Sequence, residues 1–441
     1  MGSFSKSIII FIKILRKKIN NKLIDLYQLT MCQVYWRQGL PDATFSLFFR
    51  PNPKRLYFVL SGIDDLLHKI DEFKFDDDDL IYLESLKIFD KDYLRYLSTF
   101  RFDGLVRSMK NGSIFFPNES VLEITGNIIE GQILETLIIN ELHSNISLAT
   151  KSTRIVQSSG NSTIVDFSAR RTYGYEAALK ASKNAYLSGF EGTSNFDAGK
   201  LFDIPVSGTM GHSYILGFQN EYQSFLNYAQ EFKSNSIYLV DTFDSLEGVQ
   251  KVIELHKNES LDITGIRLDS GDFSTLSYKV RKMLDSAGLK TTKIIVSGSM
   301  DEYKIHELIN KQKCPIDIFG VGSDYGVSSD VPVLECVYKL VEIDNQPVNK
   351  NSPNKSYLPY SKQIYRKLHN NMMDHDIVTK NSAKKNGYFP MIKNIYERGD
   401  YLINKESLHD VRNYIKIQME QLPDNYKNLK SEKKYPVFFE I

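Results

Sequence analysis

The feature that most constrains this chain is a rhythm between residues 190 and 324. FEGTSN (190–195), IPVSGTM (204–210), IYLVDTFDS (237–245), GIRLDSGD (265–272), KIIVSGSMDE (293–302) and IDIFGVGSD (316–324) each set a short apolar run before a cluster of Gly, Ser, Thr or Asp. Segments of helical length follow most of them. Short strands alternating with helices predict parallel βα units. So many units in succession point to an irregular TIM-like α/β barrel rather than an open sheet. In a barrel, the loops at the C-terminal ends of the strands build the active site. Every polar cluster falls at that end, so one pocket receives them all. Ordinary strand-to-helix turns also favour Gly, Asp and Ser; repetition with acids and glycines favours a functional rim.

The flanks read differently. ATFSLFFR (43–50) and LYFVLSG (56–62) have strand character. Residues 122–156 begin as a strand and become a long helix, with Ile133, Leu134, Leu137, Ile138 and Leu142 at helical spacing. The four aspartates of FKFDDDDLIYLESL suit a helix start. After residue 340 the chain turns polar, and 342–367 reads as a loop-rich lobe that leaves the barrel. With 441 residues, two domains are expected. Residues 146–340 form the barrel domain, and 23–145 plus 341–441 a discontinuous α+β domain. Residues 1–22 are an extension, apolar and then basic. Its apolar run, interrupted by Lys13, is too short to span a bilayer. No signal-peptide cleavage site follows it, and Lys6 stands where a myristoylation motif wants Ser or Thr.

A net charge of +1 gives no bulk attraction for nucleic acid, so any phosphate binding must come from local placement. The three cysteines, Cys32, Cys314 and Cys336, are widely spaced with no CxxC. That argues against a disulfide framework or zinc site and fits a reducing cytoplasm. No membrane partner is expected.

The clusters suggest chemistry. In RLDSGD, Arg267 and Asp269 share one strand face. A cation and an anion there suit a substrate with both phosphate and hydroxyls, although a plain buried ion pair fits too. The glycines of FGVGSD (Gly320, Gly322, then Ser323) and of VSGSMDE (Gly298) turn backbone N–H groups toward an anion. In DFSARR, Phe167 and Arg170 are a ring face and a guanidinium, or a core residue and a surface one. His212 ends the segment PVSGTMGH. It is a structural histidine, a general base or a nucleophile, with Asp241 or Asp244 to orient its ring.

Taken in order, DLYQLTM (25–31), FSLFFR (45–50), ILETLIIN (133–140), SARRTYG (168–174), GTSN (192–195), GTMGHS (208–213), LVDTFDSLEG (239–248), RLDSGD (267–272), GVGS (320–323) and CVYKLVEI (336–343) resemble the nicotinate phosphoribosyltransferases. The resemblance implies attack of nicotinate on C1 of phosphoribosyl pyrophosphate, coupled to ATP hydrolysis through a phosphohistidine at His212. It implies Asp244 beside that histidine and Asp269 with Arg267 at the ribosyl group. Tyr27 from a neighbouring subunit and Phe167 would sandwich the ring, with Arg170, Ser194 and Thr209 around it. Gly298, Gly320, Gly322 and Ser323 would hold the 5′-phosphate, and Arg50 and Lys339 would reach pyrophosphate. Mg²⁺, whose ligands the resemblance leaves unknown, and a homodimer with shared sites are implied as well. Ser194 stands where relatives specific for nicotinamide carry an aspartate, which would repel a carboxylate ring. The competing readings are a nicotinamide or quinolinate phosphoribosyltransferase and a catalytically silent nucleotide-binding paralogue.

Overall fold

The computed structural model describes residues 22–232, 236–350, 357–430 and 433–441. The extension, apart from Lys22, lies outside them. Two large sheets differ in kind. A seven-stranded sheet draws on both ends of the chain, in the order Gln346–Pro347, Cys336–Ile343, Asp42–Phe49, Ser120–Asn127, Leu105–Met109, Ile392–Glu397 and Asp400–Tyr401. Its pairings are antiparallel. Strand Asp42–Phe49 is buried on both faces past its first residue. Phe45 stacks on Tyr338, with ring centroids 5.0 Å apart, and the Ser46 and Ser120 hydroxyls pair at 2.7 Å.

The polar stretch 342–367 is only partly loop: 344–345, 348–350 and 357–361 lie outside strands, and its other described residues lie in them. Glu342 and Ile343 end one strand, Gln346–Pro347 forms another, and Lys362–His369 is a strand of a four-stranded sheet. Residues 351–356 lie outside the described set. Its charges misled because they are paired internally: buried Arg366 binds buried Asp376 at 2.6 Å.

The second large sheet is parallel. Its strands are β1 (Thr163–Asp166), β2 (Gly192–Thr193), β3 (Ile237–Leu239), β4 (Gly265–Leu268), β5 (Lys293–Val296) and β6 (Ile318–Val321). The order is β2-β1-β6-β5-β4-β3, every pair parallel. The expected strand at 204–210 is only one bridge, Val206 to Thr193. Pro205 has no N–H to donate, and Ser207 and Gly208 favour no strand. His212 therefore begins a short helix, His212–Gly217. Among the described residues no ladder joins Val206 to β3. The established architecture is mixed α/β with one parallel sheet; closure into a barrel is not part of it.

Helix Glu135–Ser158 spans both cores. Leu137, Ile138, Leu142 and Ile146 pack with the antiparallel sheet, and Leu148 and Ile155 with the parallel one. Among the described residues no helix is long and apolar enough to cross a membrane.

Candidate active site

Three strand ends are stitched together around His212. Its Nδ1 lies 3.1 Å from the Thr242 hydroxyl, and its Nε2 lies 3.9 Å from Asp269 Oδ2. Asp269 follows β4. Its backbone N–H donates to Asp241 Oδ2 at 2.9 Å, and Ser270 donates its hydroxyl to the same oxygen at 2.7 Å. The hydroxyl of Ser297, just after β5, donates to Asp269 Oδ1. Gly298 has φ +94°, and a Cβ there would stand 2.1 Å from the Asp269 carbonyl oxygen. Only glycine fits so close an approach with that dihedral.

Arg267, in β4, donates from Nη2 to the Met210 carbonyl at 2.9 Å, while its buried Nε has no partner. Burial lowers its guanidinium pKa, Asp269 and Asp241 oppose that, and Arg170 adds to it. Asp244 is occupied elsewhere: it caps helix Ser245–Glu259, accepting the N–H groups of Leu246 and Glu247 at 2.9 and 3.0 Å. The imidazole's neighbours are Thr242 and Asp269. Sequence reasoning passed over Thr242 and Ser297, because one hydroxyl among many in Ser/Thr-rich turns carries no separate signal.

The aromatic Phe167 lies at the strand ends of β1 and β6, away from β3 and β4 in the sheet order. Phe167 follows β1, and its N–H binds the Val321 carbonyl at 2.8 Å. Its ring lies over Gly320, where a Cβ would meet it at 2.4 Å. The space at Gly320 thus belongs to the Phe167 ring. Arg170 is exposed in the turn Ala169–Arg171. Ser194 is exposed after β2, its N–H held by the Asp166 carbonyl at 2.8 Å. Thr209 is partly buried and donates its hydroxyl to the Met210 carbonyl at 3.3 Å.

Gly322 caps the one-turn helix Ser323–Gly326. Tyr325 is a core plug, its hydroxyl donating to the Ala181 carbonyl, and Asp324 accepts the Ser329 hydroxyl at 2.7 Å. Behind this turn and that of Gly298 lies a buried ion cluster. Lys151 donates to Glu302 and, at 2.8 Å, to Asp330. Arg55 grips both oxygens of Asp330 at 2.8 Å, and Arg154 reaches Glu302 at 3.2 Å. Glu302 opens the helix after the Gly298 turn, and Asp330 follows the Gly322 turn.

Three predicted residues stand apart from this group. Tyr27 is exposed on helix Leu26–Gln38, its hydroxyl 3.3 Å from Glu135, with burial and then Glu135 raising its phenol pKa. Arg50 pairs with Glu335 at 3.3 Å. Lys339 lies opposite Ser46 in the antiparallel sheet. No hydrogen bond or ion pair among the described residues ties them to the strand-end cluster.

An imidazole, carboxylates and a guanidinium gathered at the carboxyl ends of parallel strands mark an α/β protein whose candidate site lies at the strand ends. Comparison with known proteins narrows the class. Residues 23–143 match the nicotinate phosphoribosyltransferase (NAPRTase) N-terminal domain, and residues 162–373 match the NAPRTase family. A nicotinate phosphoribosyltransferase of Mycobacterium tuberculosis is 36% identical, covering 96% of this chain and 92% of its own. One of Bacillus subtilis is 34% identical, covering 94% and 91%. Human nicotinic acid phosphoribosyltransferase has the same fold, with TM-score 0.83 at 23% identity over 95% of this chain and 98% of its own. Nicotinate-nucleotide pyrophosphorylase from Pyrococcus furiosus follows at TM-score 0.76 and 22% identity, covering 92% and 97%. The chain belongs to the nicotinate phosphoribosyltransferase family.

Proposed function

We propose that this chain is the nicotinate phosphoribosyltransferase of NAD biosynthesis, joining nicotinate to phosphoribosyl pyrophosphate and releasing nicotinate mononucleotide and pyrophosphate. The observation that carries this is kinship over nearly the whole length with two enzymes of that name, at 36% and 34% identity. The parallel sheet is read here as an irregular TIM-like barrel (residues 146–340). Its strands run in chain order with β6 beside β1, which supports that reading. The α+β domain is then 23–145 plus 341–441.

In this reading His212 takes the γ-phosphoryl group of ATP. The bond to ADP breaks as the phosphorus–nitrogen bond forms, and water later releases phosphate. The partly exposed ring between Thr242 and Asp269 leaves room for that transfer. The ribosyl carbon develops positive charge as pyrophosphate leaves, so fixed charges on both sides matter more than any single contact. Asp269 faces the developing cation. Arg267 holds the ribosyl group with it, Lys339 and, from a second subunit, Arg50 meet the leaving pyrophosphate, and Arg170 faces the ring's carboxylate or the product phosphate. Phe167, Tyr27 of a second subunit, Ser194 and Thr209 enclose the ring. Gly298, Gly322 and Ser323 present backbone to the 5′-phosphate, with Gly320 making room for Phe167. Asp244 serves by holding the start of its helix. Among the described residues no group of three or more His, Cys, Asp or Glu side chains is gathered for a metal. Mg²⁺ would neutralise the leaving pyrophosphate.

The test is direct. The protein with ATP and Mg²⁺ should gain acid-labile phosphate, lost in His212→Ala. Nicotinate with phosphoribosyl pyrophosphate should then release pyrophosphate faster than nicotinamide does. Absence of the phosphate removes the phosphohistidine; equal rates with both rings remove the assignment of Ser194.

A further inference from the structure

Asp166 ends β1 and is wholly buried, with no ion pair among the described residues. Four neutral donors surround its carboxylate. The Ser168 N–H and hydroxyl reach Oδ1 at 2.8 and 2.6 Å. The Ser182 and Thr193 hydroxyls reach Oδ2 at 2.9 and 2.7 Å. A carboxylate is expensive to bury, and hydrogen bonds to its charge are the strong ones that keep it there.

The donors come from three places. Ser168 lies in the loop that carries Phe167 and Arg170. Thr193 lies at the start of the loop that carries Ser194. Ser182 sits on helix Tyr175–Leu187 behind both. The second loop is bound twice more: the Asp166 carbonyl accepts the Ser194 N–H at 2.8 Å, and the Thr193 hydroxyl accepts the Asn195 N–H at 3.0 Å. Phe167 is pinned from its far side by β6, through the Val321 carbonyl and the space over Gly320.

We propose that Asp166 is the positioning residue of the pyridine subsite, setting the separation between the Phe167 loop and the Ser194 loop. It touches neither substrate and acts through Ser168 and Thr193. This rests on the proposed placing of the ring between those loops. A ring is gripped well at only one spacing, so loosening the two loops should weaken ring binding and leave the phosphate turns alone.

Steady-state kinetics with separate titration of the two substrates tests it. Asp166→Asn should raise the KM for nicotinate about tenfold and leave the KM for phosphoribosyl pyrophosphate within about twofold. Thr193→Val keeps the shape, removes one donor to Asp166 together with the acceptor of the Asn195 N–H, and should shift the same parameter about threefold; Thr193→Ser restores the hydroxyl and should restore the KM. If Asp166→Asn does not fold, the Thr193 pair decides. An equal rise of both KM values, or a Thr193→Val protein with lowered thermal midpoint and unchanged nicotinate KM, makes Asp166 merely structural and overturns the proposal. Phe167→Ala separates the two levels. If it raises the nicotinate KM while Thr193→Val does not, only the role of Asp166 falls. If Phe167→Ala leaves that KM unchanged, the ring placement falls and takes the proposal with it.

Discussion

Behind Phe167 and Ser194 the loops are tied by one carboxylate and four neutral donors. Behind Gly298 and Gly322 they are tied by five charged side chains, three cations against two anions. The two means of attachment should fail differently. A neutral donor lost from a shared carboxylate leaves three others. A charge lost from a buried cluster leaves its partner unpaired in a medium that solvates charge poorly.

The largest expected effect tests the charged side. Glu302→Gln leaves Lys151, Arg154 and Arg55 facing Asp330 alone. It should cost about 3–5 kcal/mol, read from denaturant unfolding. Lys151→Met is the informative counterpart. It leaves Arg154 with Glu302 and Arg55 with Asp330, two balanced pairs, and should cost less than half as much. If the lysine variant proves the worse, charge balance is not what governs this cluster.

Next comes Gly298→Ala. The added Cβ would strike the Asp269 carbonyl at a φ that L residues resist. A cost of about 1–3 kcal/mol and a raised KM for phosphoribosyl pyrophosphate are expected. Gly320→Ala should push the Phe167 ring aside instead, raising the nicotinate KM about tenfold with the other KM unchanged. If both glycine variants change the same KM, the two sides are not separate.

The pH dependence separates them further. Burial raises the Asp330 carboxyl pKa, but the hydrogen bonds and charges of Arg55 and Lys151 outweigh it and hold the group well below the ordinary carboxylate range. A folded pKa below the unfolded one gives stability that is full above about pH 4 and lost as the pH falls toward the folded value. Unfolding free energy measured from pH 7 to pH 2 should fall more steeply for the parent than for Asp330→Asn. The smallest effect is expected at Gly211→Ala. Gly211 has φ −108°, and a Cβ there meets nothing nearer than 3.8 Å. Stability should stay within about 0.5 kcal/mol, and ATP-dependent phosphate incorporation should be unchanged.

Much of the fold was legible beforehand. β2 to β6 lie within the clusters that announced them, because a short apolar run ended by Gly, Ser or Asp has few other solutions; β1 (Thr163–Asp166) was not among the strands expected. The segment 204–210 misled, since its Pro205 and Gly208 read as a turn after a strand when they prevent the strand. The segment 342–367 misled for another reason: Arg366 and Lys362 look like solvent signals but are buried with acids. In the site, His212, Asp269, Arg267 and Gly298 were legible as types at strand ends. Thr242 and Ser297 were not, because a hydroxyl's partner is chosen by which loops meet.

By itself the sequence determined most of the parallel βα order, the polar clusters at the strands' carboxyl ends and, through ten ordered blocks, the family. Those are local matters of hydrophobic period and turn chemistry. Only the tertiary structure decided that His212 lies between Thr242 and Asp269, that Asp244 serves a helix start, and that Gly320 makes room for a phenyl ring. It also revealed the four hydrogen bonds around buried Asp166 and the ion pairs of buried Lys151. The physical reason is common to all of these: they depend on the partner that folding brings to each group, and residues far apart in the chain carry no local sign of which partner that is.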